Sequence, residues 1–214
     1  MAIIFFGTIT LFAEETEEVI AVASYIESSE LDASPVDIIS AEEFKNLRVS
    51  TVAELSKYLS IASGSHFQTN ALDGIDQGMA TITLRGLGHS STLVLVNKKR
   101  QTHSGTPSDE GEGYIDINII PEIALERIEI LKDGATSLYG SDAIAGVINF
   151  QTYKQFDGMR FLLGSQKTSN YDQRDNTLGV LFGGKFWEGD YVLALSSLNK
   201  SPLNAASIPK FAEL

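Results

Sequence analysis

The chain has 214 residues, 43% of them hydrophobic, which is enough for one ordinary core and a smaller unit beside it. Its 16 basic and 28 acidic residues give a formal charge of −12 without any basic cluster. That balance excludes nucleic-acid binding, which needs lysine and arginine to neutralise phosphate, and reads as a self-repelling surface. Cysteine is absent, so disulfides, iron–sulfur clusters and thiolate zinc sites are excluded as well.

Residues 1–13, MAIIFFGTITLFA, have the apolar core and small-residue end of a secretory signal, with cleavage expected after Ala13. They lack the basic n-region, so a partial signal peptide is expected; a short buried segment is the other reading. No run reaches the ~18 apolar residues of a membrane-spanning helix. Residues 14–33 are acidic around a small apolar centre and are expected to be a mobile segment.

Residues 36–39 read as a short strand after Ser34-Pro35. Ser40 and Glu43 have capping-box spacing, which predicts a helix over 41–47. Val52, Leu55 and Leu59 fall on one helical face and predict a second helix over 52–59. Residues 63–78 are a polar loop, 80–84 alternate like a half-buried strand, and 93–96 form an apolar run suited to a buried strand. Asn97-Lys98 supplies the next turn, since asparagine tolerates positive φ. A second polar loop covers 102–113, and a short helix over 123–125 follows Pro121. Residues 128–131 and 147–150 then complete a small mixed sheet, with Gly134, Gly140 and Gly146 marking tight turns between them.

Beyond Asp157-Gly158 the pattern changes to three long strand candidates, 159–167, 178–187 and 191–199, with residues 187–190 as a hairpin connection. Their lengths approach the ~9–11 residues of a tilted transmembrane strand. In the second, Leu178, Val180, Phe182, Gly184 and Phe186 share one face. Gly179, Gly183 and Lys185 make the other face smaller and more polar. Such alternation suits lipid on one side and protein on the other, and equally suits any half-buried antiparallel sheet.

Several segments, in order, resemble the plug domain of TonB-dependent outer-membrane receptors. They are SPVDII at 34–39, TLRGLG at 83–88, TLVLVN at 92–97, ERIEILKDG at 126–134 and YGSDAIAGVIN at 139–149. Asn97-Lys98 stands where the family pattern has Asp-Gly. The resemblance implies an α+β plug over 34–158, a small mixed sheet with short helices. It implies that 159–214 are the first antiparallel strands of an incomplete transmembrane β-barrel, since bacterial barrels need ~8 or more strands. It also implies plug–barrel contacts by Arg85 and Arg127, with a local pair between Arg127 and Glu129 as the alternative, and turn glycines at Gly86, Gly134, Gly140 and Gly146.

Glu18, Val19, Ile20, Ala21, Val22 and Ala23 are similar to a TonB box, an extended segment able to add to the edge of a partner's sheet. Val22 and Ala23 depart from the usual threonine and glycine. The implied partners are therefore TonB with its inner-membrane energising complex, the chain's own barrel, a small-molecule nutrient such as a ferric siderophore, and the outer membrane. The expected location is that membrane, with the plug in the barrel lumen and the box facing the periplasm. A stand-alone periplasmic binding domain, or a truncated product without transport activity, is the alternative. No enzyme, cofactor or metal site is expected: His66, His89 and His103 are isolated, Asp109, Glu110 and Glu112 lack calcium-loop spacing, and no P-loop or nucleophile elbow is present.

Overall fold

The computed structural model describes residues 36–47, 49, 51–65, 78–108, 111–167, 173–187 and 189–202. The first unit is a five-stranded mixed sheet in the order β1-β4-β5-β2-β3. Its strands are β1 (Val36–Ser40), β2 (Thr92–Val96), β3 (Lys99–Arg100), β4 (Leu125–Leu131) and β5 (Gly146–Thr152). β2 runs parallel to β5, and the other pairs are antiparallel.

Helix α1 (Ala41–Asn46) begins where the capping box predicts, with Ser40 Oγ accepting from the Glu43 N–H at 3.2 Å. The second predicted helix is instead a 3₁₀ helix, Val52–Lys57, capped by Thr51. Five of its residues, Val52 through Ser56, are buried, so the apolar spacing marks a turn sunk into the core rather than an amphipathic face. Residues 80–84 also depart from expectation. They are buried on both faces and contribute one isolated bridge at Thr81, not a strand. Their backbone is satisfied outside the sheet: Thr83 N–H donates to Ser65 Oγ at 2.9 Å and Leu84 N–H to Thr92 Oγ1 at 2.9 Å. A short 3₁₀ helix, Glu122–Ala124, follows Pro121 as the sequence suggests. The predicted loop over 63–78 lies almost wholly outside the described residues.

The sheet has a core on each face. Ile128, Ile130, Ile148, Phe150 and Val94 pack with Leu55, Leu84 and Ile117 on one side. Leu131, Val147, Leu93 and Leu95 pack on the other with Ala135 and Ala143. The latter two come from the crossover between β4 and β5, which contains α2 (Thr136–Tyr139). The Asn97-Lys98 turn has φ of 51° and 65°, the doubly positive geometry of a tight hairpin. Asn97 Oδ1 accepts from Thr152 N–H at 2.9 Å, and Lys98 N–H donates to Asn149 Oδ1 at 2.9 Å, so the β5 backbone and the Asn149 side chain hold a turn that lacks glycine.

The second unit is an antiparallel sheet of β6 (Gly158–Lys167), β7 (Arg174–Phe186) and β8 (Gly189–Lys200). Cross-strand partners share a face, giving the rows Met159–Phe182–Leu193, Phe161–Val180–Leu195 and Leu163–Leu178–Ser197. Most of the large side chains in these rows are exposed. The opposite rows, Arg160–Leu181–Ala194 and Leu162–Gly179–Ser196, face the first unit. Leu181 is fully buried, and the 3₁₀ helix Glu122–Ala124 packs on β7 and β8. A Cβ on Gly179 would lie 3.4 Å from Ile123 Cβ, so the glycine lets the two units approach closely.

Candidate functional site

The two candidate arginines stand at opposite ends of β4 in the first unit. Arg85 sits in the turn after the buried 80–84 segment at φ 58°, a left-handed conformation that a non-glycine residue adopts at a cost. Its Nη2 donates to Lys132 O and reaches Asp133 Oδ1 at 3.4 Å, which ties this turn to the link after β4. Gly86 continues the turn at φ 65°, with Ser63 Oγ beside it. Arg85 is exposed, so its ion pair adds little by itself.

Arg127 occupies the other end of β4, on the opposite face of the sheet from the main core. Its Nε donates to Glu129 Oε1 at 2.8 Å. Glu129 is fully buried, and its other oxygen accepts from Asn149 Nδ2 at 2.9 Å. Asn149 in turn accepts from the Lys98 backbone. This Arg127–Glu129–Asn149 chain replaces apolar packing in a row that pairs Glu129 with Asn149 and Asn149 with Leu95. The local pair weighed from the sequence is thus present. Because it uses Nε, the two Nη groups of Arg127 have no partner among the described residues. Arg85 and Arg127 do not meet each other: one bonds at Lys132, past the end of β4, and the other stands opposite Ser40 and Gln151.

Of the turn glycines, Gly140 caps α2 at φ 82°, and Gly134 faces Ile144 O, which would lie 3.0 Å from an added Cβ. Gly146 is the tightest, at φ 136° between Leu131 O and Leu84. Residues 18–23, the proposed box, lie outside the described residues, as do His66, Asp109 and Glu110. The described part of the 102–113 loop is anchored. Glu112 accepts from the His89 backbone N–H at 3.1 Å, and Ser108 bonds both the N–H and the carbonyl of Glu112. His89 is half-buried and its Nδ1 lies 3.3 Å from the Thr81 and Thr83 hydroxyls, so it is bonded rather than merely solvated.

Sequence reasoning missed Glu122. It lies in a cleft beside β6, and burial, with a smaller contribution from the Glu54 charge, pushes its carboxyl up to about 7. The folded chain therefore holds this proton more tightly than the unfolded chain. The stability this group contributes, roughly 3 kcal/mol, is fully present below about pH 4.5 and is lost as pH rises through about 7. Urea unfolding across pH 5–8 checks this: Glu122→Gln is expected to lose less stability over that range than the unaltered chain.

A small α+β domain set against one face of a three-stranded antiparallel sheet, whose other face is apolar and exposed, is the arrangement of a plug with the first strands of an unclosed barrel. The family model described as TonB-dependent Receptor Plug Domain matches residues 30–147, more than half of the chain. The chain belongs to the TonB-dependent receptor plug family. It is 34% identical over 145 residues to an iron-regulated outer membrane virulence protein of Vibrio cholerae, covering 66% of this chain and 21% of that protein. It is 27% identical to the vitamin B12 transporter BtuB of the same species over 92% of this chain and 30% of the transporter. Among solved structures, the siderophore receptor PirA from Acinetobacter baumannii superposes with a TM-score of 0.60 at 25% identity, over 80% of this chain and 25% of the receptor. The chain thus spans less than a third of the length of these relatives.

Proposed function

We propose that residues 34–158 form a plug that gates energy-coupled uptake of a scarce nutrient, such as a ferric siderophore, across the outer membrane. Residues 159–214 supply the first strands of the surrounding barrel, and residues 1–13 the end of a secretory signal. The observation that carries this reading is the two-sidedness of the β6–β8 sheet: the plug covers one face, and the other is apolar and exposed. From Leu178 to Phe186 that face runs nine residues, or eight steps, about 27 Å of strand and roughly 21 Å of height at a 40° tilt. This is close to the ~25 Å apolar band of a bacterial barrel. Phe186, Trp187 and Tyr191 cluster at the tight turn, as an interfacial aromatic girdle requires.

In this reading Arg85 and Arg127 reach wall carboxylates, Arg127 through its two Nη groups while Nε stays on Glu129. The 63–78 and 102–113 loops meet the nutrient. TonB engages residues Glu18–Ala23 from the periplasm by strand addition. The protein acts as a transporter component, with no catalytic residue. The test is binding of the purified chain to the C-terminal domain of TonB. Saturable binding is expected, with at least a tenfold loss for Ile20→Pro, since proline removes a ladder donor. Full-strength binding after deletion of residues 14–23 overturns the box.

A further inference from the structure

A cleft of about 800 Å³ lies between the plug and strand β6, lined by α1, Glu122, Ile123 and the wall residues Arg160 and Leu162. On the plug side, Glu122 Oε2 is buried and has no hydrogen-bond partner among the described residues. A buried carboxylate oxygen without a donor is unfavourable and marks a place where a proton or a cation belongs. On the wall side, the Arg160 guanidinium lies 5.2 Å from the Tyr153 ring centre and 5.1 Å from that of Phe156. Its Nη1 donates to Tyr153 Oη at 3.1 Å. Arg160 has no carboxylate partner among the described residues, although it lines the same cleft as an unsatisfied carboxylate.

We propose that Glu122 and Arg160 form a proton-gated latch between plug and wall: when Glu122 ionises, Arg160 leaves the Tyr153–Phe156 stack and closes the cleft as an ion pair. Three features of the cleft carry this. The phenol and the two rings offer Arg160 a neutral hydrogen bond and cation–π contacts, which a charge-assisted pair with the buried Glu122 oxygen outcompetes. The other charges around Glu122 are less suited to answer it. Glu54 repels it and is itself tied to Lys57 at 3.1 Å, while Asp175 and Lys200 on β7 and β8 pair with each other at 3.6 Å. Glu42 and Lys45 on α1 also line the cleft, and among the described residues lining it Lys45 is the one competing cation. Finally, Glu122 acquires its charge near neutral pH, so the latch would engage and release within an ordinary range.

The pairing rests on the plug-and-wall reading only for its meaning in gating; as an ionic contact it is testable in the chain alone. The test is a carbon-13 NMR titration of the Glu122 carboxyl in the whole chain in detergent micelles, with the resonance assigned by its loss in Glu122→Gln. Arg160→Gln is expected to hold this proton at least about tenfold more tightly than the unaltered chain, a difference of about one unit in midpoint. Lys45→Gln is expected to titrate like the unaltered chain. Tyr153→Phe, which keeps the ring and removes the phenol that holds Arg160, is expected to lower the midpoint further; it also serves if Arg160→Gln does not fold. Coincident midpoints in the unaltered chain and Arg160→Gln overturn the latch, as does a shift seen only in Lys45→Gln or an unmoved midpoint in Tyr153→Phe. Such results would leave the plug reading intact, because that reading rests on the two-sidedness of the β6–β8 sheet and is tested separately by TonB binding.

Discussion

Replacing Gly146 with alanine is expected to destabilise the first unit by about 3 kcal/mol or more, and with valine to prevent its folding. Gly146 opens β5 at φ 136°, a region that L side chains rarely adopt. An added Cβ would strike Leu131 O in the neighbouring strand and lie 2.9 Å from Leu84 Cδ1. Neither neighbour can yield easily, because Leu131 O belongs to the sheet backbone and Leu84 is fully buried in the main core. Gly140 is the matched control. It has φ 82° and ψ −167°, also a glycine region, but nothing within 4 Å of an added Cβ, so Gly140→Ala should cost only the backbone strain, about 1–3 kcal/mol, without the clash. Equilibrium urea unfolding of both variants checks the comparison. A Gly146→Ala variant as mild as Gly140→Ala would show that β4 and β5 can move apart at this point.

The second large effect is expected at Arg127. Removing this side chain leaves the fully buried Glu129 carboxylate with Asn149 as its remaining side-chain partner. Breaking a buried pair from one side costs about 3–5 kcal/mol, far more than an exposed pair is worth. Arg127→Ala combined with Glu129→Gln should be considerably less damaging than Arg127→Ala alone, because the amide carries no charge to strand. A double-mutant cycle in urea measures the coupling. If Arg127→Ala costs under about 1 kcal/mol, the pair is surface-like and the arginine is free to serve the wall alone.

These two positions also show what was legible in the sequence. Gly146 stands inside a motif that names the family, and its need for a special backbone conformation could be anticipated from glycine between apolar runs. The capping box at Ser40 and the apolar runs of β2, β4 and β5 were readable for the same reason: local chemistry and burial agree there. The 52–57 and 80–84 segments misled because a spacing rule assumes one wet face, and neither segment has one. Thr81 and Thr83 look like the polar half of a strand but are buried, with their hydroxyls beside His89.

Glu129 and Glu122 were harder, since a carboxylate in a sequence reads as solvent-exposed. A charge between Ile128 and Ile130 is the signal in the sequence for the first, with Arg127 two residues away as its partner. For Glu122 there was no such signal. Its burial depends on β6–β8 coming back over the plug, a long-range contact that no local pattern reports.

The central claim is that the two faces of the β6–β8 sheet look into different media, protein on one side and lipid on the other. Quenching by brominated lipids tests it most directly. With Trp187→Phe removing the one native tryptophan, a single reporter is placed by Leu195→Trp or by Ser196→Trp in vesicle-reconstituted chain. These neighbours on β8 sit on opposite faces, in the rows of Phe161–Val180 and of Leu162–Gly179. Strong quenching at position 195 and weak quenching at 196 is the result the plug-and-wall account predicts. Equal quenching at both, or none at either, would contradict it.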